Sequence, residues 1–217
     1  MVATAGRLDD TEADADLAAS RRHVRLTRPP AVFGVVPVVA LAFLLDASVQ
    51  RWAAGLQNAA ADIVVGMLNP IGSGVTLLVV CIGLAILCRT LGWGRACAAS
   101  SLGALAFMAA GITEYALKHL VARPRPVVGV TPGVLELDSF PSGHATSVFA
   151  VATVLGAFYP RLRWPLYMVA GAIAVGRVYL ARHYLSDIVA GALIGLVVAS
   201  LLLRHRHAIA ARTVSAA

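Results

Sequence analysis

Histidines, a carboxylate and several cations stand at the edges of the apolar runs of this chain rather than inside them. Pro141-Ser142-Gly143-His144 precedes one apolar run, and Arg177, His183 and Asp187 lie between two later runs. Cations and histidines at the boundary between an apolar helix and water are typical of a site for a phosphate group at the bilayer surface.

His183 and Asp187 are four positions apart, so on a helix or its entry turn they share a face. A carboxylate there can accept one ring N–H of the histidine, which fixes the tautomer and leaves the other nitrogen as a nucleophile. A lone histidine near a helix start is usually a cap or a solvated side chain. The accompanying acid and Arg177 favour the chemical interpretation.

Pro141 is predicted to occupy the first turn of a helix, where its missing N–H costs nothing. The N–H groups of Ser142, Gly143 and His144 would then be free to bind an anion at the positive helix end. Gly143 would also let a phosphate approach the backbone closely. An ordinary helix cap with a surface histidine fits the same residues, and this segment alone does not separate the two.

Two further cations, Lys118 and Arg125, close an earlier apolar run. Lys118 could simply anchor its helix at the membrane surface, or pair with Glu114 one turn earlier. Arg125 lies between Pro124 and Pro126, which stiffen its backbone, and its guanidinium matches the oxygens of a phosphate.

Together these groups indicate phosphoryl transfer in which protein cations replace a metal ion. The set lacks the cluster of carboxylates that would hold magnesium, so neither a metal nor another cofactor is expected. Lys118, Arg125 and Arg177 would neutralise the phosphate oxygens as charge spreads in the transition state. One histidine would attack, and the other would protonate the departing oxygen.

The surrounding sequence is that of a membrane protein. Of its 217 residues, 59% are hydrophobic and only 13% are charged, which is too little polar surface for a soluble domain of this length. The net charge of +7 comes from basic residues that separate apolar runs. No basic patch is interleaved with aromatic residues, so nucleic acid is not an expected partner.

The apolar runs predict an all-α, polytopic membrane protein with six transmembrane helices. The expected spans cover residues 30–49, 73–91, 96–121, 142–159, 165–180 and 187–203. A short interfacial helix is expected at residues 51–70. The expected domains are a disordered cytoplasmic tail at 1–28, one membrane domain at 29–204 and a cytoplasmic C-terminal tail at 205–217.

The placement of arginine predicts the orientation. One side of the six-span arrangement collects Arg21, Arg22, Arg25, Arg28, Arg89, Arg95, Arg161, Arg163, Arg204 and Arg206. By the positive-inside rule that side is cytoplasmic, so both termini are expected in the cytoplasm and the protein in the inner (plasma) membrane. The candidate site residues then lie at the extracytoplasmic face, where topology does not explain their charges.

These residues resemble the three-part signature of the type 2 phosphatidic acid phosphatase family of membrane lipid phosphatases. The parts match Lys118 through Arg125-Pro126, then Pro141-Ser142-Gly143-His144, then Arg177 through His183 to Asp187, in the family's order and spacing. Gly176 stands where the family often has a serine that is not thought to perform chemistry. With the six-helix plan, the resemblance extends to nearly the whole chain outside the tail.

The resemblance implies a role for each matching residue. His183 would form a phosphohistidine, Asp187 would orient it, and His144 would be the acid for the leaving group and then the base for water. The implied phosphate-binding residues are Lys118, Arg125, Ser142, Gly143 and Arg177. The implied reaction is metal-independent and acts on a lipid phosphate or diphosphate that enters sideways from the bilayer.

Polyprenyl diphosphate is the first substrate expected, with phosphatidate or phosphatidylglycerol phosphate next. A phosphotransferase that passes the phosphoryl group to a non-water acceptor is an alternative, and a transporter is a further one. A transporter should carry charges near the bilayer midplane, and only Asp46, inside the first span, approaches that pattern.

The sequence leaves several features open. Other charged residues near the motifs could tune head-group choice or simply be solvated; they are His119, Arg123, Glu136, Asp138 and Arg182. Oligomeric state is also open, because the small residues Gly191 and Gly195 allow close helix packing either within or between chains.

Overall fold

The computed structural model describes residues 32–126 and 138–215, and within these ranges every regular element is helical. The elements are α1 (Val32–Gly55), α2 (Ala59–Ile71), α3 (Gly74–Thr90), α4 (Gly94–Val121), α5 (Gly143–Phe158), a 3₁₀ turn (Pro160–Leu162), α6 (Arg163–Tyr179) and α7 (Leu185–Ser215). The all-α prediction is therefore confirmed. The tail expected at residues 1–28 and Glu136 lie outside the described residues.

Each of the six predicted spans corresponds to a helix, but length and composition alone qualify fewer of them to cross a membrane. Three candidates qualify among the described residues, over Gly34–Gly55, Gly94–Val121 and Leu185–His205. A fourth arises if α2 and α3, bent by 51° at their junction, count as one span. The membrane character is supported, and the count of six stays a prediction.

The interfacial helix expected at residues 51–70 begins later than predicted. Residues 51–55 continue α1, and α2 starts at Ala59 after an N-cap at Asn58, whose side chain accepts a hydrogen bond from the Ala61 amide. Asparagine is a favoured N-cap because it satisfies an amide that the helix leaves unpaired. The tail expected at 205–217 also differs, since α7 continues through Ser215.

Helix ends near the motifs follow local chemistry. α4 ends at Val121, and Ala122 takes a left-handed conformation with φ of 46°. Pro124 lies just beyond it, where a proline prevents the helix from resuming. Further along the chain, α5 begins at Gly143 behind an N-cap at Ser142. Pro141 therefore precedes the cap, and its predicted position in the first turn is wrong.

α5 lies at the centre of the bundle and packs against α4, α6 and α7. Its contact with α7 is close because small residues face each other. A Cβ added at Gly191 would lie 2.6 Å from the Ser142 carbonyl oxygen, and one at Gly195 would lie 2.8 Å from the Ala150 amide nitrogen. Both glycines thus serve helix packing within the chain, and the tight α5–α7 contact fixes the relative positions of the two motifs.

The surface is apolar and one end of the interior is polar. Leu44, Val75 and Met168 are at least 75% exposed, as expected of side chains that contact lipid tails rather than water. The buried polar residues include Asp46, Ser139, Ser142, His183, Ser186 and Asp187. They gather where α1, α5 and α7 approach the loops that follow α4 and α6.

Candidate active site

His183 lies in the turn between α6 and α7, and its ring is almost fully buried. Its Nδ1 is 2.8 Å from the carbonyl oxygen of Ser139 and 3.6 Å from Asp187 Oδ2. Because a carbonyl oxygen only accepts, Nδ1 donates in this contact, and Nε2 keeps its lone pair. The ring N–H was expected to donate to Asp187, and it donates instead to a backbone carbonyl oxygen.

Asp187 is fully buried and holds the segments around His183 together. Its carboxylate accepts hydrogen bonds from Ser139 Oγ at 2.5 Å, from the Tyr184 amide at 2.8 Å and from Arg123 Nη1 at 2.6 Å. Through Ser139 it fixes the residue whose carbonyl meets the imidazole. Asp187 therefore orients His183 indirectly, through Ser139, and not by the direct hydrogen bond that the sequence suggested.

The surroundings of His183 favour its neutral form. Burial lowers the pKa of the ring below that of an ordinary histidine, and Asp187 opposes this effect. Arg177 and Arg125 lie near enough to repel a protonated ring and lower the pKa further. A neutral imidazole with Nδ1 bonded is the form in which Nε2 can act as a nucleophile.

His144 stands in the first turn of α5, next to the end of α2. A Cβ added at Gly72 would lie 3.2 Å from the His144 ring carbon Cδ2, so this glycine lets α2 approach the imidazole. Asn69 of α2 accepts a hydrogen bond from Arg177 Nη1 at 2.5 Å. His144 Nε2 and Arg177 Nε are buried and have no hydrogen-bond partner among the described residues. Both atoms are available to a ligand.

The two cations at the end of α4 meet carboxylates. Lys118 Nζ is 2.7 Å from Glu114 Oε1, the pairing that the sequence allowed, and 3.8 Å from Asp138 Oδ2. Arg125 donates from Nε and Nη2 to the two oxygens of Asp138, at 2.8 and 2.9 Å. These bonds hold the pKa of Asp138 below its usual range, with Lys118 and His183 adding to the effect.

The structure gives Ser142 and Gly143 contacts that the sequence did not predict. Ser142 is fully buried, and its amide donates to the Asp187 carbonyl oxygen at 3.0 Å. That amide is thus not free for an anion, and the bond instead joins the start of α5 to α7. A Cβ at Gly143 would lie 3.0 Å from Glu114 Oε1. The absence of a side chain there allows the Glu114 carboxylate to approach the helix end.

Arg123, which the sequence allowed to be a solvated residue, lies largely inside the protein. It bridges Asp46 and Asp187 across two helices. His119 stays outside the site, because its Nδ1 is 2.9 Å from the Tyr115 carbonyl oxygen on the exposed face of α4. The sequence did contain a signal for this ion pair: Asp46 is a lone acid in an apolar span, and Arg123 is an arginine to which no role had been given.

Within residues 32–126 and 138–215, no group of three or more His, Cys, Asp and Glu side chains could hold a metal ion. The site is instead an arrangement of imidazoles and cations carried by four elements. Its residues come from the ends of α4, α5, α6 and α7. The pattern of the PAP2 superfamily matches residues 98–210, just over half of the chain and the part that contains every one of these motifs.

The chain belongs to the PAP2 superfamily. Its resemblance to type 2 phosphatidic acid phosphatases is thereby confirmed. A lipid A 1-phosphatase of Rhizobium etli is 33% identical over 94 residues, 39% of this chain and 40% of that protein. A decaprenylphosphoryl-5-phosphoribose phosphatase of Mycobacterium tuberculosis is 36% identical over 102 residues, 46% of this chain and 56% of that protein. The chain thus matches about half or less of these relatives' length.

Two crystal structures of PAP2-type proteins share the fold. A phosphatidylglycerolphosphate phosphatase of Bacillus subtilis superposes with a TM-score of 0.65 at 20% identity, covering 82% of this chain and 96% of that one. LpxE of Aquifex aeolicus superposes with a TM-score of 0.61 at 24% identity, covering 74% and 95%. At these identities the likeness establishes the arrangement of the helices.

Proposed function

We propose that this protein is an integral-membrane phosphatase that hydrolyses a lipid phosphate or diphosphate through a phosphohistidine intermediate. The observation that carries the proposal is the environment of His183: a buried ring with Nδ1 bonded to the Ser139 carbonyl oxygen, and the cations Arg125 and Arg177 near enough to lower its pKa. A nucleophilic imidazole next to fixed positive charge fits attack on a phosphate.

In the proposed reaction His183 Nε2 attacks phosphorus and the bond to the leaving oxygen breaks. His144, whose Nε2 has no partner among the described residues, begins the step with a proton on that nitrogen and gives it to the oxygen as it departs. His144 then removes a proton from water, which attacks the phosphohistidine and releases inorganic phosphate while His183 is restored. Lys118, Arg125 and Arg177 neutralise the phosphate oxygens through both steps.

Gly143 and Ser142 have supporting parts in this scheme. Gly143 lies at the positive start of α5, where backbone amides favour an anion. Ser142 holds that helix start against Asp187. The cations that bind phosphate are already paired with Glu114 and Asp138, so the incoming phosphate competes with these carboxylates for Lys118 and Arg125.

The substrate class follows from the apolar exterior and from the relatives. A lipid can keep its tail in the bilayer while its head group reaches the polar end of the bundle. The similar proteins are named for lipid A, decaprenylphosphoryl-phosphoribose and phosphatidylglycerolphosphate. Polyprenyl diphosphate remains our first candidate, with phosphatidate or phosphatidylglycerol phosphate next.

We propose six spans in the inner membrane, with both termini cytoplasmic and the site on the extracytoplasmic face. Arg95 at the start of α4 donates to the Phe158 carbonyl and stacks on Tyr159 at the end of α5. The exposed Trp93 and Trp164 lie at the same end of these helices. Arginine and tryptophan at one end fit a cytoplasmic membrane–water interface.

The decisive experiment measures phosphate release from a panel of lipid phosphates by purified protein in detergent. The panel contains polyprenyl diphosphate, phosphatidate and phosphatidylglycerol phosphate, each with and without a chelator. Wild-type protein should release phosphate equally in both conditions, and loss of activity on chelation would contradict a site that works with cations alone. His183→Ala should abolish release while the variant stays folded, as judged by its helical circular dichroism and its elution volume in detergent.

The matched control is His119→Ala, which removes an exposed histidine outside the site. This variant should keep wild-type turnover. Unchanged turnover in His183→Ala would end the assignment. A base-stable, acid-labile phosphate label on wild type that is absent in His183→Ala identifies the intermediate. Adding sugar or lipid alcohols and comparing free phosphate with phosphorylated product separates hydrolysis from phosphotransfer.

A further inference from the structure

Arg123 is held between two buried carboxylates that come from distant parts of the sequence. Nη1 donates to Asp187 Oδ1 at 2.6 Å, and Nη2 donates to Asp46 Oδ2 at 2.7 Å. Its side chain is 18% exposed, whereas those of Asp46 and Asp187 are 8% and 0% exposed. An ion pair in such surroundings is stronger and more directional than one in water.

Asp46 is bonded on both of its oxygens. Oδ1 accepts from the Ser186 amide at 2.8 Å, and Oδ2 accepts from Ser186 Oγ at 2.6 Å in addition to Arg123. A carboxylate inside an apolar helix is costly unless it is paired. The partners of Asp46 are Arg123 and Ser186, and Ser186 is the residue before Asp187.

Two aromatic rings enclose the guanidinium of Arg123. Its Cζ lies 4.0 Å from the centre of the Tyr184 ring and 4.7 Å from that of Phe43. Cations favour the faces of aromatic rings, so the rings confine the guanidinium plane between them. Tyr184 is the residue after His183, and its amide bonds Asp187. The enclosure thus joins α1, the segment after α4 and the start of α7.

We infer that Asp46 and Arg123 are positioning residues of the reaction: Arg123 neutralises and aims the Asp187 carboxylate that orients His183 through Ser139, and Asp46 fixes Arg123. This inference rests on the proposed function. Neither residue touches the reacting atoms. Asp187 without Arg123 would be an uncompensated buried charge close to the imidazole, and it would then stabilise the protonated ring.

This arrangement predicts shifts of opposite sign in the pH dependence. The charged and titratable groups around His183 are Asp187 on α7, Arg177 on α6, His144 on α5, and Arg125 and Asp138 of the segments between α4 and α5. Arg123→Gln removes a positive charge bonded to Asp187, so the acid limb of kcat/KM should move to higher pH. In Asp46→Asn the positive charge of Arg123 is opposed by Asp187 alone, so the acid limb should move slightly to lower pH.

The kinetic constants give a second readout. Arg123→Gln should lower kcat by roughly 100-fold or more with little change in KM, because the substrate contacts are intact. Asp46→Asn should lower kcat about 10-fold. In the double variant, Asp46→Asn removes the carboxylate that Arg123→Gln alone would leave buried and unpaired, so kcat should be no lower than in Arg123→Gln. The inference would be overturned if the kcat losses of the two single variants multiplied in the double variant and the acid limb shifted in neither single variant. The pair would then only connect the helices.

Two controls keep the test decisive. Arg51→Gln removes another arginine near the end of α1, whose Nε bonds the Ala47 carbonyl on the exposed side of its own helix, and should leave kcat and its pH profile unchanged. Arg123→Lys keeps the charge but loses the two-pronged contact, so it should retain the wild-type acid limb while kcat falls. If Arg123→Gln does not fold, Arg123→Lys and Asp46→Asn still decide the question.

Histidine titration by NMR separates this inference from the proposed function. The His183 signal, assigned by its loss in His183→Ala, should titrate at a higher pH in Arg123→Gln than in wild type. A shifted titration in a protein that releases no phosphate from any lipid would refute the phosphatase and leave the positioning pair standing. An unshifted titration in an active enzyme would refute the pair alone.

Discussion

The two histidines of the site sit in contrasting surroundings. Around His183, the proposed nucleophile, the side chains of Asp187, Ser139 and Arg123 form a hydrogen-bond network that is complete without a ligand. Around His144, the histidine Nε2 and Arg177 Nε are buried without a partner among the described residues. One half of the site is built in advance, and the other half contains groups that a ligand would satisfy.

This difference has a physical reason. A nucleophile gains from a fixed tautomer and a fixed direction, and both are set by hydrogen bonds made before substrate arrives. Groups that bind a changing phosphate gain more from bonds formed in the transition state than in the resting protein. Substitutions in the half around His183 should therefore lower the stability of the protein, whereas substitutions in the half around His144 should mainly lower its activity.

Asp187→Ala should have the largest effect, because it breaks the complete half. It leaves Arg123 buried opposite a missing partner, and Ser139 and Tyr184 lose their acceptor. Removing one partner of a buried ion pair costs about 3–5 kcal/mol. We expect loss of phosphatase activity together with a marked fall in the unfolding temperature in detergent.

The matched control for Asp187→Ala is Asp62→Ala. Asp62 is exposed on α2 and accepts a hydrogen bond from Tyr179 Oη at 2.7 Å. Its loss should change stability much less. Equal thermal unfolding of the two variants would show that the network around His183 is not the stabilising one, and the contrast between the halves would fail.

His144→Ala should have nearly as large an effect on rate and a small one on stability. General acid–base catalysis contributes about 100- to 10,000-fold, and kcat should fall by that order. Its Nε2 has no partner among the described residues, and the ring loses one hydrogen bond to the Asn69 backbone, so the free energy of unfolding should fall by only about 1 kcal/mol. Substrates with a good leaving group should recover much of the lost rate, and failure to recover would argue against an acid role.

Apolar periodicity and prolines predicted much of this fold. The spans expected at 96–121 and 142–159 match α4 and α5 to within a few residues, because Pro124 and Ser142 limit them locally. The boundary between α1 and α2 was missed although Asn58, a favoured N-cap, marks the start of α2, and tertiary contacts also hold this boundary. Gln57 donates to the Tyr179 carbonyl across the bundle at 3.1 Å, and nothing in the local pattern announces that bond.

The sequence predicted the parts of the candidate site that depend on residue type. It did not predict the hydrogen bonds and ion pairs between residues that are distant in the chain. His144, His183 and the cations stand out as polar residues between apolar runs. Ser139 did not, because its carbonyl is the atom that bonds His183, and any residue supplies a carbonyl. Arg123 and Asp46 are 77 positions apart, and each alone resembles an interfacial charge.

Asn69→Ala should also lower activity through the half around His144, by less than His144→Ala does. Asn69 Oδ1 accepts from Arg177 Nη1 at 2.5 Å, and a hydrogen bond to a charged group contributes about 1.5–3 kcal/mol. Released from Asn69, Arg177 should bind phosphate in a less defined position, which lowers kcat/KM roughly 10- to 100-fold. Inhibition by vanadate should weaken in parallel.

The control for Asn69→Ala is Asn58→Ala on the same helix. Asn58 caps α2, so its loss should lower stability by about 1 kcal/mol and leave kcat/KM near wild type. If the two variants lower kcat/KM equally, α2 contributes through its stability and not through the bond to Arg177.

Ala122→Gly should have the smallest effect and probes backbone strain on the side of His183. Ala122 and Ala181 have φ of 46° and 53°, and they precede Arg123 and His183 closely in the chain. A left-handed alanine costs about 1 kcal/mol or more. Ala122 is exposed, so glycine there loses no buried methyl group and should raise stability by about 0.5 kcal/mol.

Ala116→Gly inside α4 is the control for Ala122→Gly and should instead lower stability by about 1 kcal/mol, because it places glycine within a regular helix. A gain in stability in Ala122→Gly accompanied by a lower kcat would mean that the strained turn helps to aim Arg123. If Ala122→Gly destabilises the protein as much as Ala116→Gly does, the turn is not strained.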